Sequence, residues 1–226
     1  MGSGMSKVVT GLYLGNIRDS EDRDSLQRHG VTHILSVHNR AKPVLEGMTY
    51  LCISASDSSS QNLMQHFKES IKFIHECRLR GGGCLVHCLA GVSRSTTILV
   101  AYLMTVTELG WERCLAATKA ARSYASPNFG FQQQLQEYEQ TLLKEVPVLC
   151  LGLAQDFALY PPVALPRQYR AWIHRDYGRN PFQDQEELQR LLAQQKEQSG
   201  SWGGSCTSPP APTHPLPGSR SRWMDR

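Results

Sequence analysis

Residues 84–107 constrain the fold more than any other part of the sequence. Residues 84–87 form a short apolar run typical of a strand, and residues 95–107 are apolar on almost every side, which predicts a buried helix. The loop that joins them, residues 88–94, is then expected at the edge of a sheet.

Other strand and helix patterns alternate with this unit along the first part of the chain. The predicted strands are residues 12–14, 31–37, 50–53 and 84–87. The predicted helices are residues 20–29, 62–80 and 95–107, with further helix faces at 111–118 and 131–142. Strands that alternate with helices predict an α/β fold with a central, mostly parallel sheet of about five strands and helices on both faces.

Composition divides the chain into three parts. Residues 1–144 carry the alternating pattern and predict one domain. Residues 145–198 combine an apolar, proline-rich insertion with two short amphipathic helices, and residues 199–226 are rich in Ser, Gly and Pro, which predicts a disordered tail. The most apolar stretch, residues 146–166, is interrupted by polar residues and prolines, so no membrane-spanning helix is predicted.

Charge and cysteine usage narrow the classes of function. The formal net charge of +4 comes from 24 basic and 20 acidic residues that form no basic block, which argues against a nucleic-acid partner. The seven cysteines are odd in number and show no paired spacing, which is typical of free thiols in a reducing, cytosolic environment. Cys84 and Cys88 lie about 13 Å apart on an extended strand, too far for a disulfide. Cys52 is expected to fill the core.

The loop from Cys88 to Arg94 has the composition of an anion site. Gly91 permits a backbone turn in which successive N–H groups point inward and form an anion-binding nest. The N-terminus of the following helix adds partial positive charge, and the planar guanidinium of Arg94 matches two phosphate oxygens. The loop is therefore expected to bind a tetrahedral dianion such as a phosphoryl group.

Within this loop, Cys88 is placed as a nucleophile. A thiol at a helix N-terminus beside an arginine ionises at a lowered pKa, with precedents of roughly 3.5–7.5. We expect phosphoryl transfer to the sulfur, followed by hydrolysis, with His87 supporting the thiolate through ring hydrogen bonds and Ser95 donating to the departing sulfur. Asp57 follows a predicted strand and is expected near Cys88 as the acid, because the carboxyl ends of parallel strands share one edge.

Several motifs together resemble the cysteine-dependent protein phosphatases. HCLAGVSRS matches the HC-x5-R-S/T signature of that superfamily, and AYLM, NFGFQQQL, GLYLGN and the upstream Asp57 are similar to its dual-specificity branch. Residues 1–139 resemble the atypical, N-myristoylated subgroup that includes the JNK-stimulatory phosphatase. The resemblance implies an enzyme that hydrolyses phosphotyrosine and phosphoserine or phosphothreonine in proteins, and a part in MAP kinase (JNK) signalling with components of that pathway as partners.

The resemblance also implies roles for individual residues. Cys88 is the nucleophile, Asp57 the general acid, Arg94 the phosphate clamp and Ser95 an aid to breakdown of the phosphoenzyme. The residues expected to bind substrate are His87, Leu89, Ala90, Gly91, Val92, Ser93 and Arg94. Asn128 is expected to fix the loop, and after a proline it is also placed to cap a helix. No cofactor or metal is implied, and a monomer is expected.

The N-terminal sequence MGSGMSK fits the pattern for N-myristoylation of Gly2, and the subgroup named above shares it. One myristoyl chain binds membranes only marginally, and no polybasic block or neighbouring cysteine supplies a second signal. We therefore expect a cytoplasmic protein that is partly bound, peripherally, to the inner face of a membrane. Two features depart from the subgroup: residues 143–166 intervene before YRAWIHRDYG, and the tail resembles no known family.

Three alternative functions stay in view. A non-catalytic phosphate-binding scaffold would be expected to lack Cys88 or Arg94, and both are present. A phosphatase for lipid or RNA phosphates usually carries extra basic residues in the loop, and none lies between those two positions. A zinc site built from Cys84, His87 and Cys88 lacks a second pair of ligands at a suitable spacing. A phosphoprotein substrate is therefore favoured.

Overall fold

A five-stranded sheet forms the centre of the computed structural model, which describes residues 4–143 and 168–200. The strands are β1 (Ser6–Val9), β2 (Leu12–Gly15), β3 (Val31–Val37), β4 (Thr49–Ile53) and β5 (Gly83–His87). Their order is β1-β2-β5-β3-β4; β1 pairs antiparallel with β2, and every other pair is parallel. The prediction of a mostly parallel sheet of about five strands is confirmed, and β1 is a strand that the sequence did not predict.

Helices connect and flank the strands. They are α1 (Ile17–Glu21), α2 (Arg23–Arg28), α3 (Phe67–Leu79), α4 (Arg94–Val106), α5 (Trp111–Ala121), α6 (Phe129–Leu143), α7 (Gln168–Tyr177) and α8 (Asp184–Gly200). A short 3-10 turn, Met64–His66, precedes α3, so the helix predicted at residues 62–80 begins later than expected. The backbone N–H groups of Leu63 and Met64 both donate to the Gln134 side chain instead of continuing a helix.

Successive side chains of β2, β3 and β5 enter two separate cores, as the two-residue period of a strand requires. On β5, Cys84 and Val86 pack into the larger core with side chains of α3, α4, α5 and α6. Leu85, between them, points to the other face and packs with Tyr13 and Leu26 of the smaller core. Helices therefore cover both faces, as predicted, and α4 is buried along nearly its whole length.

The helix predicted at residues 20–29 is two short helices. Asp22 ends α1 and caps α2, and its carboxylate accepts from the backbone N–H of Ser25 at 3.0 Å. An aspartate that caps a helix offers the backbone an alternative to continuing the preceding one, which explains the break.

Cys52 also differs from its prediction as a core residue: it is half-buried, because β4 is an edge strand.

The C-terminal helices pack on the same core as the sheet. Ile173 of α7 and Leu188 of α8 are buried in the larger core, at 4% and 0% exposure. At the start of α8, Asp184 forms a buried ion pair with Arg78 of α3, with 2.7 Å between Oδ1 and Nη2. The two helices predicted after the insertion are therefore present. Most of that insertion, residues 144–167, and the tail from residue 201 lie outside the described residues.

The four parallel strands end at one edge of the sheet. Gly15, Val37, Ile53 and His87 are the last residues of β2, β3, β4 and β5. The segments that follow them are brought side by side by the parallel register of neighbouring strands. Ligands of α/β proteins bind at such an edge, and the predicted site residues collect there.

Candidate active site

Cys88 lies at the base of the loop that joins β5 to α4, and 1% of its surface is exposed. Its Sγ accepts hydrogen bonds from the Gly91 backbone N–H and from the Ser95 hydroxyl, both at 3.2 Å. Burial alone would raise the pKa of the thiol. Hydrogen bonds from the Ser95 hydroxyl and from the backbone of Ser95, Val92 and Gly91 outweigh burial, so the pKa of Cys88 lies below its ordinary value of 9.0.

Gly91 has a backbone conformation that a side chain would oppose. Its φ is +69°, in the left-handed region that favours glycine. A Cβ at this position would lie 2.5 Å from the Gly15 carbonyl oxygen and 2.7 Å from Nη2 of Arg122. The loop therefore needs glycine both for its turn and for its close contact with β2.

Arg122, at the end of α5, supports the loop from beneath and was not predicted. Its Nε donates to the Gly91 carbonyl at 3.0 Å, and its Nη1 donates to the carbonyls of Leu14 and Gly4, each at 3.2 Å. The Asp19 carboxylate lies 3.8 Å from its Nη2. A single arginine at the end of a polar helix is usually a surface residue, so no signal in the sequence identified this one.

Arg94, the first residue of α4, is buried beside the loop. Its Nη1 donates to the Ala55 carbonyl at 3.1 Å and to Asn39 Oδ1 at 3.5 Å. Its Nε lies 3.5 Å from Asp57 Oδ2, but no described residue accepts a hydrogen bond from it in good geometry. An anion at the loop would supply the acceptor for this donor. Asn39 follows β3, and the argument from strand ends that located Asp57 would have found it too.

Asp57 is joined to the loop through Ser93 and Asn128. Asp57 Oδ1 accepts from the Ser93 hydroxyl at 2.7 Å and from Asn128 Nδ2 at 2.9 Å. The Asn128 backbone N–H donates to the same hydroxyl at 3.1 Å. Asn128 Oδ1 also accepts from the Phe131 backbone N–H at 3.0 Å, so this residue caps α6 and contacts Asp57 at once. The structure thus brings together three residues that are distant in the sequence.

The His87 ring forms hydrogen bonds with the scaffold of the loop. Its Nε2 lies 2.6 Å from the Ser36 hydroxyl, and its Nδ1 lies 3.3 Å from the Cys88 carbonyl. These bonds hold the ring under the backbone rather than against the sulfur, which differs from the predicted support of the thiolate. Burial lowers the pKa of His87 to about 4, and burial together with Arg94 lowers that of His38. Both rings are therefore neutral near pH 7, and Cys88 gains no help from an imidazolium.

A cavity of about 620 Å³ opens in front of this arrangement. Arg94, Asp57 and His87 are among its lining residues. Leu89, which is 50% exposed, and the exposed Ala90 stand at the front of the loop. Of the predicted substrate-binding residues, Leu89 and Ala90 are thus exposed and Val92 is half-buried, while the buried ones are His87, Gly91, Ser93 and Arg94.

No metal site forms around Cys84 among the described residues. Cys84 of β5 hydrogen-bonds with Cys77 of α3, and burial raises its pKa well above 9.0. Within residues 4–143 and 168–200, no group of three or more His, Cys, Asp or Glu side chains is arranged to hold a metal. Over the same residues, no helix has the length and apolar character needed to cross a bilayer.

Comparisons with known proteins place this geometry in a family. Residues 12–141 match the family model described as dual specificity phosphatase, catalytic domain. Dual specificity protein phosphatase 22-A of Danio rerio is 61% identical over 198 residues, which are 88% of this chain and 84% of that protein. Dual specificity protein phosphatase 22 of Homo sapiens is 54% identical over 193 residues, 85% of this chain and 92% of that protein. The crystal structure of DUSP15 is 55% identical with a TM-score of 0.60, covering 61% of this chain and 88% of that one.

Replacing Ser95 by alanine should raise the pKa of Cys88, because the thiolate would lose its hydroxyl donor. Only the thiolate reacts quickly with alkylating agents, so the pH midpoint for alkylation of Cys88 by iodoacetamide should move to higher pH. Mass spectrometry of the Cys88 peptide measures this rate. Thr96→Val is the matched control, since the neighbouring Thr96 hydroxyl has no hydrogen-bond partner among the described residues. An unchanged midpoint in Ser95→Ala would contradict the assignment.

Proposed function

This chain belongs to the dual specificity phosphatases, and from that premise we propose that it works through a cysteinyl-phosphate formed on Cys88. As a dual-specificity protein phosphatase it hydrolyses phosphotyrosine and phosphoserine or phosphothreonine in proteins. The observation that carries the mechanism is the thiol of lowered pKa, held by Gly91 and Ser95 inside the loop that Arg94 closes.

In the first step, the phosphoryl oxygens accept hydrogen bonds from the loop backbone and from the Arg94 guanidinium. The Cys88 thiolate attacks phosphorus, an S–P bond forms, and the bond from phosphorus to the substrate oxygen breaks. Asp57, protonated at this stage, gives its proton to the departing oxygen. Its place above the loop, in contact with Ser93 and close to Arg94, supports this role.

In the second step, water attacks phosphorus and the S–P bond breaks. Asp57, now a carboxylate, takes a proton from the water, and inorganic phosphate leaves. Ser95 donates its hydroxyl hydrogen bond to the sulfur as it regains negative charge, which supports a role in breakdown of the intermediate. Asn128 positions Asp57 through its side-chain amide.

The alternatives named from the sequence gain less support. A scaffold that only binds phosphate would have no need of a thiol with a lowered pKa. A phosphatase for lipid or RNA phosphates would be expected to have basic residues within the loop, whereas Leu89, Ala90, Gly91, Val92 and Ser93 carry no charge. A part in MAP kinase (JNK) signalling and a monomeric state stay predictions from the resemblance.

Cys88→Ser should bind a phosphopeptide and fail to hydrolyse it, because a serine hydroxyl is not ionised near pH 7. Loss of an essential nucleophile lowers turnover by on the order of 10³-fold or more. Phosphate release measures turnover, and calorimetry measures binding. Cys52→Ser, at a half-buried free cysteine, is the matched control and should keep full activity. Turnover by Cys88→Ser at the level of the unchanged protein would refute the covalent mechanism.

Asp57→Asn should slow the hydrolysis of phosphoserine peptides more than that of p-nitrophenyl phosphate. A serine alkoxide needs a proton to leave and a nitrophenolate does not, and loss of a general acid costs about 10²–10⁴ in rate. The measurement is kcat on both substrates. Asp24→Asn, on the exposed face of α2, controls for the loss of one carboxylate. Equal slowing on the two substrates would show that Asp57 is not the acid.

We also propose that Gly2 is myristoylated and that the protein exchanges between the cytosol and the inner face of a membrane. Gly2 lies outside the described residues, and the proposal rests on the N-terminal motif and the resemblance. Gly4, the first described residue, accepts a hydrogen bond from Arg122, the residue that also supports Gly91. The described part of the chain therefore begins on the side of the domain that carries the loop.

Gly2→Ala should abolish incorporation of labelled myristate and reduce the membrane fraction. Because Gly2→Ala lacks the myristoyl chain, this variant should appear in the cytosol. One chain gives a membrane partition constant of only about 10⁴ M⁻¹, so part of the unchanged protein should be cytosolic as well. Labelling and fractionation of cells that express each form measure both effects, with Ser3→Ala, which leaves the M-G-x-x-x-[ST] pattern intact, as the matched control. Absence of label in the unchanged protein would refute the lipid proposal. If the unchanged protein carries the label but Gly2→Ala keeps the same membrane fraction, the myristoyl chain is not the anchor.

A further inference from the structure

Two basic side chains lie beside the phosphate loop, residues 88–94. Arg40 and Lys42 are exposed, and both line the cavity that holds Arg94 and Asp57. Among the described residues, neither side chain forms an ion pair or a hydrogen bond. The mechanism above uses neither residue, and no described carboxylate pairs with their positive charges at the cavity.

The backbone that carries these two residues is held in place next to the catalytic arginine. Asn39 Oδ1 accepts from Arg94 Nη1 at 3.5 Å, and the Asn39 carbonyl accepts from the Ser54 hydroxyl at 3.4 Å. The Arg40 backbone N–H donates to His38 Nδ1 at 3.3 Å. The segment is thus fixed to the ends of β3 and β4, and the two charges project from a defined position.

The rest of the cavity rim is different in character. Its exposed apolar side chains are Val44, 54% exposed, and Leu89, 50% exposed. Glu21 is the one acidic residue of the lining besides Asp57, whose carboxylate is already bound to the loop. A substrate group beside Arg40 and Lys42 therefore meets two positive charges, and the phosphoryl group itself is served by Arg94.

The cavity is large enough for more than one side chain. Sites for drug-sized ligands occupy roughly 300–1,000 Å³, and this one measures about 620 Å³. Consecutive residues of an extended peptide advance about 3.3 Å each, so neighbours one to three positions away lie within about 10 Å of the phosphorylated residue. That range is within reach of a rim formed by residues that directly follow Asn39.

We propose that Arg40 and Lys42 form a second anionic subsite, which selects phosphoproteins with an Asp or Glu one to three residues from the phosphorylated side chain. This proposal rests on the proposed function and adds the substrate class to it. Because both basic side chains are exposed, each pair they form with a carboxylate contributes modestly, and the two together should change kcat/KM about tenfold.

The test uses the full chain and matched phosphotyrosine peptides that differ only in flanking residues: Glu, Ala or Lys. The unchanged protein should prefer the Glu peptide to the Lys peptide about tenfold in kcat/KM. Arg40→Ala/Lys42→Ala should remove this preference through a raised KM for the Glu peptide. For this double variant, kcat/KM on the Glu peptide divided by kcat/KM on p-nitrophenyl phosphate should be about tenfold lower than for the unchanged protein. The preference should also weaken in 1 M salt, where the screening length is about 3 Å.

Arg113→Ala removes a positive charge from the exposed side of α5, away from the cavity, and should keep the preference. Equal rates on the Glu and Lys peptides in the unchanged protein would overturn the subsite, as would an equal loss in Arg113→Ala. If Arg40→Ala/Lys42→Ala slows only a phosphoinositide in phosphatidylcholine vesicles, the rim serves lipid headgroups and the proposal is wrong. Failure of the unchanged protein on every substrate, p-nitrophenyl phosphate included, would instead refute the proposed function.

Discussion

The conformation of the phosphate loop depends on its contact with the buried guanidinium of Arg122. It holds the Gly91 carbonyl at 3.0 Å, while the Gly91 N–H points to the Cys88 sulfur at 3.2 Å. A rotation of this part of the loop would break both contacts and leave a buried charged donor without its acceptor, which is costly. The carbonyl oxygens are thus drawn away from the sulfur and the N–H groups remain beside it. The Ser95 hydroxyl and these backbone N–H groups together lower the pKa of Cys88.

On the side of the site that carries Asp57, a single side chain also makes several contacts. Ser93 is part of the loop, yet its hydroxyl donates to Asp57 and accepts from the backbone of Asn128. One oxygen atom, that of the Ser93 hydroxyl, therefore contacts both the loop that follows β4 and the start of α6. Groups fixed in this way need no reorganisation when charge moves during the reaction, which is how preorganised polar sites lower barriers.

Whether a feature of the site could be predicted depends on how far apart its contacting residues lie in the sequence. Cys88, Gly91, Arg94 and Ser95 act within one loop, and their spacing alone indicated an anion site. Asp57 was located by the general rule for strand ends. The roles of Ser36 under His87 and of Arg122 under Gly91 arise from pairs 51 and 31 residues apart, and nothing local distinguishes either from an ordinary polar residue. The break at Asp22 was missed because a capping contact overrode a helical pattern.

A second buried arginine shows why the C-terminal helices belong with the domain, although the family model ends at residue 141. Arg78 donates to the Thr10 carbonyl at the end of β1, and its charge is balanced by Asp184 of α8. Removing one partner of a buried ion pair leaves an uncompensated charge, so the pair requires α8 to be in place. Strand β1, short and at the edge of the sheet, is thus held by Arg78 at one end and by Arg122, through Ser6, at the other. A continuous set of contacts through the first strand therefore connects the phosphate loop with the C-terminal helices.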